Sequence, residues 1–131
     1  MIGLTQTTFP DLHRLAEALN VTLTHHEGGA KGYYRNTTRT ITTRRGLSAA
    51  QYKCTLAHEL GHAFHHDTPT GNGHYDQRQE NRAWQFAANL LIDMQELENA
   101  CAWHQGNLAA VADELEITQY LLNFWLRRVA A

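Results

Sequence analysis

Ala57-His58-Glu59-Leu60-Gly61-His62, near the middle of the chain, is the stretch on which the reading turns. Two histidines four apart on a helix are separated by about 400° of rotation, so both side chains leave one face roughly one turn apart. At that spacing two imidazole nitrogens reach one tetrahedral Zn²⁺ at about 2.0–2.1 Å. Glu59 points about 100° away from His58, near the metal's open position, where a carboxylate can act as base towards a water. A surface histidine pair on an amphipathic helix is the plainer reading of the same letters, so the surroundings decide.

Those surroundings favour the metal. Ser48 followed three residues later by Gln51 is a capping-box signature, which predicts a helix from Ala49 to about His66. On a helical wheel Tyr52, Leu56, Leu60 and Ala63 make one apolar stripe, and Thr55, His58, His62 and His65 lie nearly opposite. Such a helix buries one face by ordinary packing and presents its histidines to a second element.

Working outward, 131 residues suffice for a single domain with a real core, expected to span 1–131. A net charge of −2 gives no global pull towards nucleic acid or an anionic membrane. Nine histidines are many for this length, and they concentrate between His58 and His74. Cys54 and Cys101 form no Cys-x-x-Cys pair, and Cys54 inside the helix reads as a small buried residue in a reducing compartment. No signal pattern and no apolar run of about 20 residues is present. A soluble cytoplasmic protein is expected.

Before the central helix, Thr8, Pro10 and Asp11 predict a capped helix carrying Leu12, Leu15, Ala16 and Leu19, with Asn20 at its stop. Val21 to Glu27 alternates as a strand. Gly28-Gly29 turns, and Tyr33 to Thr43 reads as a hairpin around Asn36. The expectation is a small, mostly antiparallel sheet of about three strands, made basic by Lys31, Arg35, Arg39, Arg44 and Arg45. Those cations suit either a cleft or a phosphate contact, or simply a solvated sheet face with charged edges.

After the central helix, the turn formers from Asp67 to Gly73 close it, and Asp76 with Gln79 three on predicts the next N-terminus. There Glu80 falls on one stripe with Ala83, Trp84, Ala87 and Leu91. A carboxylate on a core-facing stripe is costly unless it meets a cation. Ala83 and Ala87 on this helix, and Gly61 on the other, predict that the two lie close together. Two histidines with a glutamate is a known catalytic zinc set. His65, His66, Asp67, His74 and Asp76 compete with Glu80 as third ligand, Asp76 most seriously. The metzincin spacing is excluded, because His65 and Thr68 stand where Gly and His are needed. Asp93 with Glu96 predicts another helix to about Gln105. Residues 108–131 outline a helix-turn-helix whose acidic balance and apolar second helix argue for packing rather than DNA reading.

Thr55-Leu56-Ala57-His58-Glu59-Leu60-Gly61-His62, the following His65-His66, and Glu80-x-x-Ala83-x-x-Phe86-Ala87-x-x-Leu90-Leu91 together resemble the ImmA/IrrE metallopeptidase family. The resemblance implies an α+β, zincin-like fold, with the sheet packed on the His-Glu-x-x-His helix and a helical C-terminal half. It implies zinc on His58, His62 and Glu80, and Glu59 as general base of a peptide-bond hydrolase. It also implies a regulatory role, the cleavage of a helix-turn-helix repressor of a phage, mobile element or stress response. Ile92-Asp93 replaces the family's usual Met-Pro, away from the implied ligands. Candidates to hold the oxyanion are His74, Tyr75, His65 and Tyr33. The alternative of a different class is a zinc-stabilised binding module that sequesters a repressor or another protein without cutting it. Direct nucleic-acid binding through the basic hairpin is a third, weaker reading.

Overall fold

The computed structural model describes residues 7–130, the side chains of His74 and Tyr75 excepted. Nine elements follow one another: α1 (Phe9–Ala18), β1 (Thr22–His26), β2 (Gly32–Arg35), β3 (Thr40–Arg44), α2 (Ala49–Phe64), α3 (Gly73–Leu91), α4 (Met94–Trp103), α5 (Leu108–Leu115) and α6 (Gln119–Ala130). The capping box predicted at Ser48 closes, and the cap predicted at Thr8 proves to be a capping box as well. Thr8 and Asp11 exchange bonds at the start of α1, and Ser48 and Gln51 do so at the start of α2. Asn20 takes the left-handed conformation just past α1, at φ 60°, which asparagine tolerates better than most residues.

The three strands lie in the order β1-β3-β2. β2 and β3 form the expected antiparallel hairpin, with Tyr33 opposite Thr42. β1, however, pairs with β3 in parallel, Leu23 beside Ile41, so the sheet is mixed rather than mostly antiparallel. Gly28 and Gly29, at φ 62° and 72°, carry the chain past one strand's width. This leaves a vacancy beside β1 that β3 fills on its return. Three of the five cations named for the sheet are engaged locally. Arg39 donates to the carbonyls of Leu19 and Ala63 and so ties the hairpin turn to the ends of α1 and α2. Arg44 donates to the Gly29 carbonyl, and Arg45 pairs with Glu27.

α2 is buried nearly all round, not on one stripe only: Cys54, Thr55, Leu56, Ala57, His58, Glu59 and Leu60 are all buried. The sheet covers one side, α3 another and α1 a third, and the α5–α6 junction meets Lys53 and Cys54. Gly32 on β2 lies directly on the helix, where an added Cβ would stand 2.6 Å from the Thr55 Cγ2 methyl. At Gly61 an added Cβ would stand 3.0 Å from the Ala83 backbone, confirming the close crossing of α2 and α3. One apolar core joins Leu12 of α1, Ile41 of β3, Leu56 and Leu60 of α2, Val111 of α5 and Leu121 and Leu122 of α6. Burying side chains of that size contributes roughly 1.5–3 kcal/mol each. α5 and α6 bury Val111, Leu115, Leu121 and Leu122, and Lys53, buried within α2, is paired with Glu116 at the α5–α6 junction at 3.2 Å.

Candidate metal centre

His58 and His62 leave one face of α2, their ring centroids 4.7 Å apart. Glu80 of α3 reaches across and meets both. Its Oε1 lies 3.0 Å from His58 Nε2, and its Oε2 lies 2.8 Å from His62 Nε2. The sequence stripe foretold this convergence, although Glu80 sits at the cleft edge with its side chain 45 % exposed rather than enclosed in the core. Nearness of α3 follows from Gly61 and Ala83, which let the two backbones touch.

The rear nitrogens are held as well. His58 Nδ1 donates to Glu59 Oε2 at 3.0 Å, and His62 Nδ1 donates to Asp67 Oδ2 at 2.9 Å. Carboxylates only accept, so each Nδ1 carries a proton and each Nε2 is the nitrogen turned towards Glu80. Asp67 is buried, and its other oxygen accepts from Arg82 at 2.6 Å. A local device puts it there. His66 ends α2 in the left-handed conformation at φ 55°. The Asp67 N–H then returns to the His62 carbonyl and the His66 N–H to that of Ala63, at 2.9 and 3.1 Å. This is a Schellman stop, and it folds Asp67 back beneath the histidine five residues earlier.

Among the described residues the other rivals for third ligand are directed elsewhere; the side chain of His74 lies outside them. His66 faces Arg39 at 3.1 Å. Asp76 accepts from the Thr70 amide and hydroxyl, each at 2.8 Å. It therefore pins the 67–72 loop instead of capping its own helix, which starts three residues earlier, at Gly73. His65 packs edge-on to Phe64 and does not line the cleft, whereas Tyr33 does. The side chains of His74 and Tyr75, the remaining oxyanion candidates, lie outside the described residues.

Three carboxylates around two imidazoles leave the site short of positive charge. Burial alone would lower the His58 pKa, but the hydrogen bonds and charges of Glu59 and Glu80 outweigh it and raise it to about 9. His62 is raised too, its bonds to Glu80 and Asp67 prevailing over burial and the His58 charge. Hydrogen bonds from both histidines hold Glu80 far below the usual carboxylate range. Protons on the two Nε2 atoms thus stand where a divalent cation fits, and His58, Glu59 and His62 offer ligand atoms within 4.8 Å of one another. The donor set of imidazole nitrogens and a carboxylate is that of catalytic zinc.

Two residues beside the cluster read from sequence as core only. Trp84 stacks on the His58 ring at 4.1 Å, and Tyr120 of α6 lies against Trp84 at 4.9 Å. The aromatic spacing that signals packing gave no hint that these rings edge a cleft. The cleft itself has a lobe of about 370 Å³ between the β2 segment 32–34, His58, His62, Glu80 and the Thr68-Pro69 loop.

A zinc metallopeptidase centre on an α+β frame is what these elements define: a His-Glu-x-x-His helix, a crossing helix with a glutamate, and a small sheet alongside. The chain belongs to the peptidase M78 family, whose model, described as the IrrE N-terminal-like domain, matches residues 7–123. No curated protein matches the chain closely enough to count as a relative. No helix among the described residues is long and apolar enough to cross a membrane.

Proposed function

We propose that this protein is a cytoplasmic endopeptidase of one domain, with His58, His62 and Glu80 as its zinc ligands and Glu59 as its general base. The observation that carries this reading is the meeting of both Nε2 atoms on the two oxygens of Glu80, with Glu59 on the cleft wall beside them. When bound, zinc supplies a Lewis acid that polarises the scissile carbonyl and acidifies a water. Glu59 accepts one bond from His58 through Oε2, which leaves Oε1 to take a proton and later return it to the leaving amine. Glu59 and Asp67 hold the two rings with Nε2 forward, so little reorganisation accompanies ligation. Tyr33 is the described oxyanion candidate that lines the cleft.

The substrate enters extended. β2 is an edge strand in the order β1-β3-β2, and residues 32–34 of it line the cleft. A peptide adding to that edge gains main-chain hydrogen bonds while its side chains alternate between cleft and solvent. We take the substrate to be a helix-turn-helix repressor governing a phage, mobile element or stress response.

The test is incubation of the zinc-loaded protein with the repressor encoded beside its gene, wild type against Glu59→Gln. The amide oxygen still accepts the His58 Nδ1–H, so the metal is retained. Hydrolysis is expected to fall at least ~10²-fold, the lower end for general acid–base catalysis. Cleavage by the variant at the wild-type rate sinks the mechanism. Tight binding by both proteins with cleavage by neither makes the protein a sequestering module.

A further inference from the structure

On the far side of Glu80 from β2 the cleft continues into a second open cavity of about 850 Å³. One wall is α3, with Glu80 and Trp84; the other is α6, with Tyr120, Phe124, Arg127 and Arg128. The stacking of His58, Trp84 and Tyr120 makes the junction continuous, with an aromatic rim starting at the metal site. Tyr120 is 58 % exposed although it lies against the Trp84 ring.

Charge along α6 has one sign. The Arg128 guanidinium lies 5.0 Å over the Phe124 ring and also meets Gln85. Arg127, exposed one residue earlier, has no hydrogen-bond or ion-pair partner among the described residues. The lining holds no acid among the described residues except Glu80, whose charge is directed at the two histidines. An aromatic slot that grades into an unpaired guanidinium fits a peptide bearing an apolar and then an acidic side chain. Carboxylate on guanidinium is the pairing with the best geometric fit.

Helical spacing sets the distance between the two. Tyr120 and Arg127 are seven residues apart on α6, about 10 Å at a rise of about 1.5 Å per residue. An extended peptide covers that length in about three residues at ~3.3 Å each.

We propose that this cavity is a substrate subsite. It seats an apolar side chain against Trp84 and Tyr120 and, about three residues further along the peptide, an acidic side chain on Arg127. The proposal rests on the peptidase reading above, because it places an extended chain across Glu80.

The probes are fluorogenic decapeptides of Ala, Ser and Leu in which a single aspartate, or asparagine as its neutral control, is walked along the chain. For zinc-loaded wild type, aspartate about three positions from the apolar residue beside the cleaved bond should raise kcat/KM roughly two- to fivefold over asparagine, the worth of one exposed charge pair. In Arg127→Glu that ratio should fall to one or below and lysine should become preferred there, while Arg127→Lys retains part of the ratio. Zinc content serves as the folding control. A ratio near one at every position in wild type, or one that survives Arg127→Glu, overturns the proposal. If no peptide is cleaved, labelled versions are titrated against Glu59→Gln by fluorescence anisotropy. The same positional preference, lost in Arg127→Glu, then supports the subsite while the hydrolytic reading falls. Absence of any preference overturns the subsite.

Discussion

Across the cleft, the α2–α3 wall and the α6 wall are built differently. Along α2 and α3 each chemical side chain is gripped from behind: His58 by Glu59, His62 by Asp67, and Asp67 by Arg82. Among the described residues no buried side-chain nitrogen or oxygen lacks a partner. Along α6, Tyr120, Arg127 and Arg128 stand exposed at the cleft over a buried Phe124, and Arg127 has no partner among the described residues. The first wall holds a small cation, which rewards rigid donors at fixed positions. The second faces a peptide, whose recognition requires surface left open for another chain. Disturbing the first wall should therefore register in zinc affinity, and disturbing the second in the choice of peptide.

Glu80→Ala gives the largest expected effect on the metal. The variant loses the only group among the described residues that touches both Nε2 atoms, and zinc affinity should drop by more than the roughly 10²-fold upper end seen for supporting residues. Competition titration against a chelating dye measures it. Near-native affinity would mean that the ligand set is wrong, and with it the account of the α2–α3 wall.

Next comes Asp67→Ala. Without its carboxylate the His62 ring can rotate and can protonate either nitrogen. The expected cost is roughly 10–100-fold in zinc affinity. Arg82→Ala should cost less, since Arg82 is half exposed and Asp67 would keep its bond to His62. Equal losses in the two variants, or none in Asp67→Ala, would show that the rear partner of His62 is only structural filler. Zinc is the readout for both, with thermal melts beside it.

The parts of the molecule that were legible in the sequence are those set by local physics. A helix cap is closed within four consecutive residues, so the Ser48–Gln51 box and the Thr8 cap could be read directly. Glu80 was legible because a carboxylate on an alanine-rich stripe conflicts with burial, and Gly61 opposite Ala83 because a glycine within a helix needs a reason. Strand order was not legible. Whether β3 returns beside β1 or beyond β2 depends on the loop across residues 27–31 and on the packing over α2. Nor was Asp67's role. It follows from a left-handed His66, a conformation that glycine usually announces, and here histidine stands in its place. The α6 wall stayed hidden for a different reason: Trp84, Tyr120 and Phe124 recur at the spacing of a core. Only the crossing of α3 and α6 shows that two of them edge a cleft.

The smallest effect on the metal is expected at Asp76, and it sharpens the comparison most because sequence made this residue the chief rival of Glu80. Its carboxylate lines the same cleft, yet it faces Thr70, from which it accepts two bonds that lower its pKa below the ordinary 3.8. Because the folded-state value is the lower one, the Thr70 staple holds at pH above the ordinary carboxylate range and is lost as pH falls through the depressed value. Asp76→Ala should therefore leave zinc affinity at the wild-type level. It should instead loosen the 67–72 loop, seen as faster proteolysis or hydrogen exchange there, and remove the part of the acid sensitivity that the staple contributes. Zinc loss in Asp76→Ala with retention in Glu80→Ala would reverse the assignment. Because both carboxylates sit on α3 four residues apart, one titration on the two variants decides which of them belongs to the metal and which to the loop.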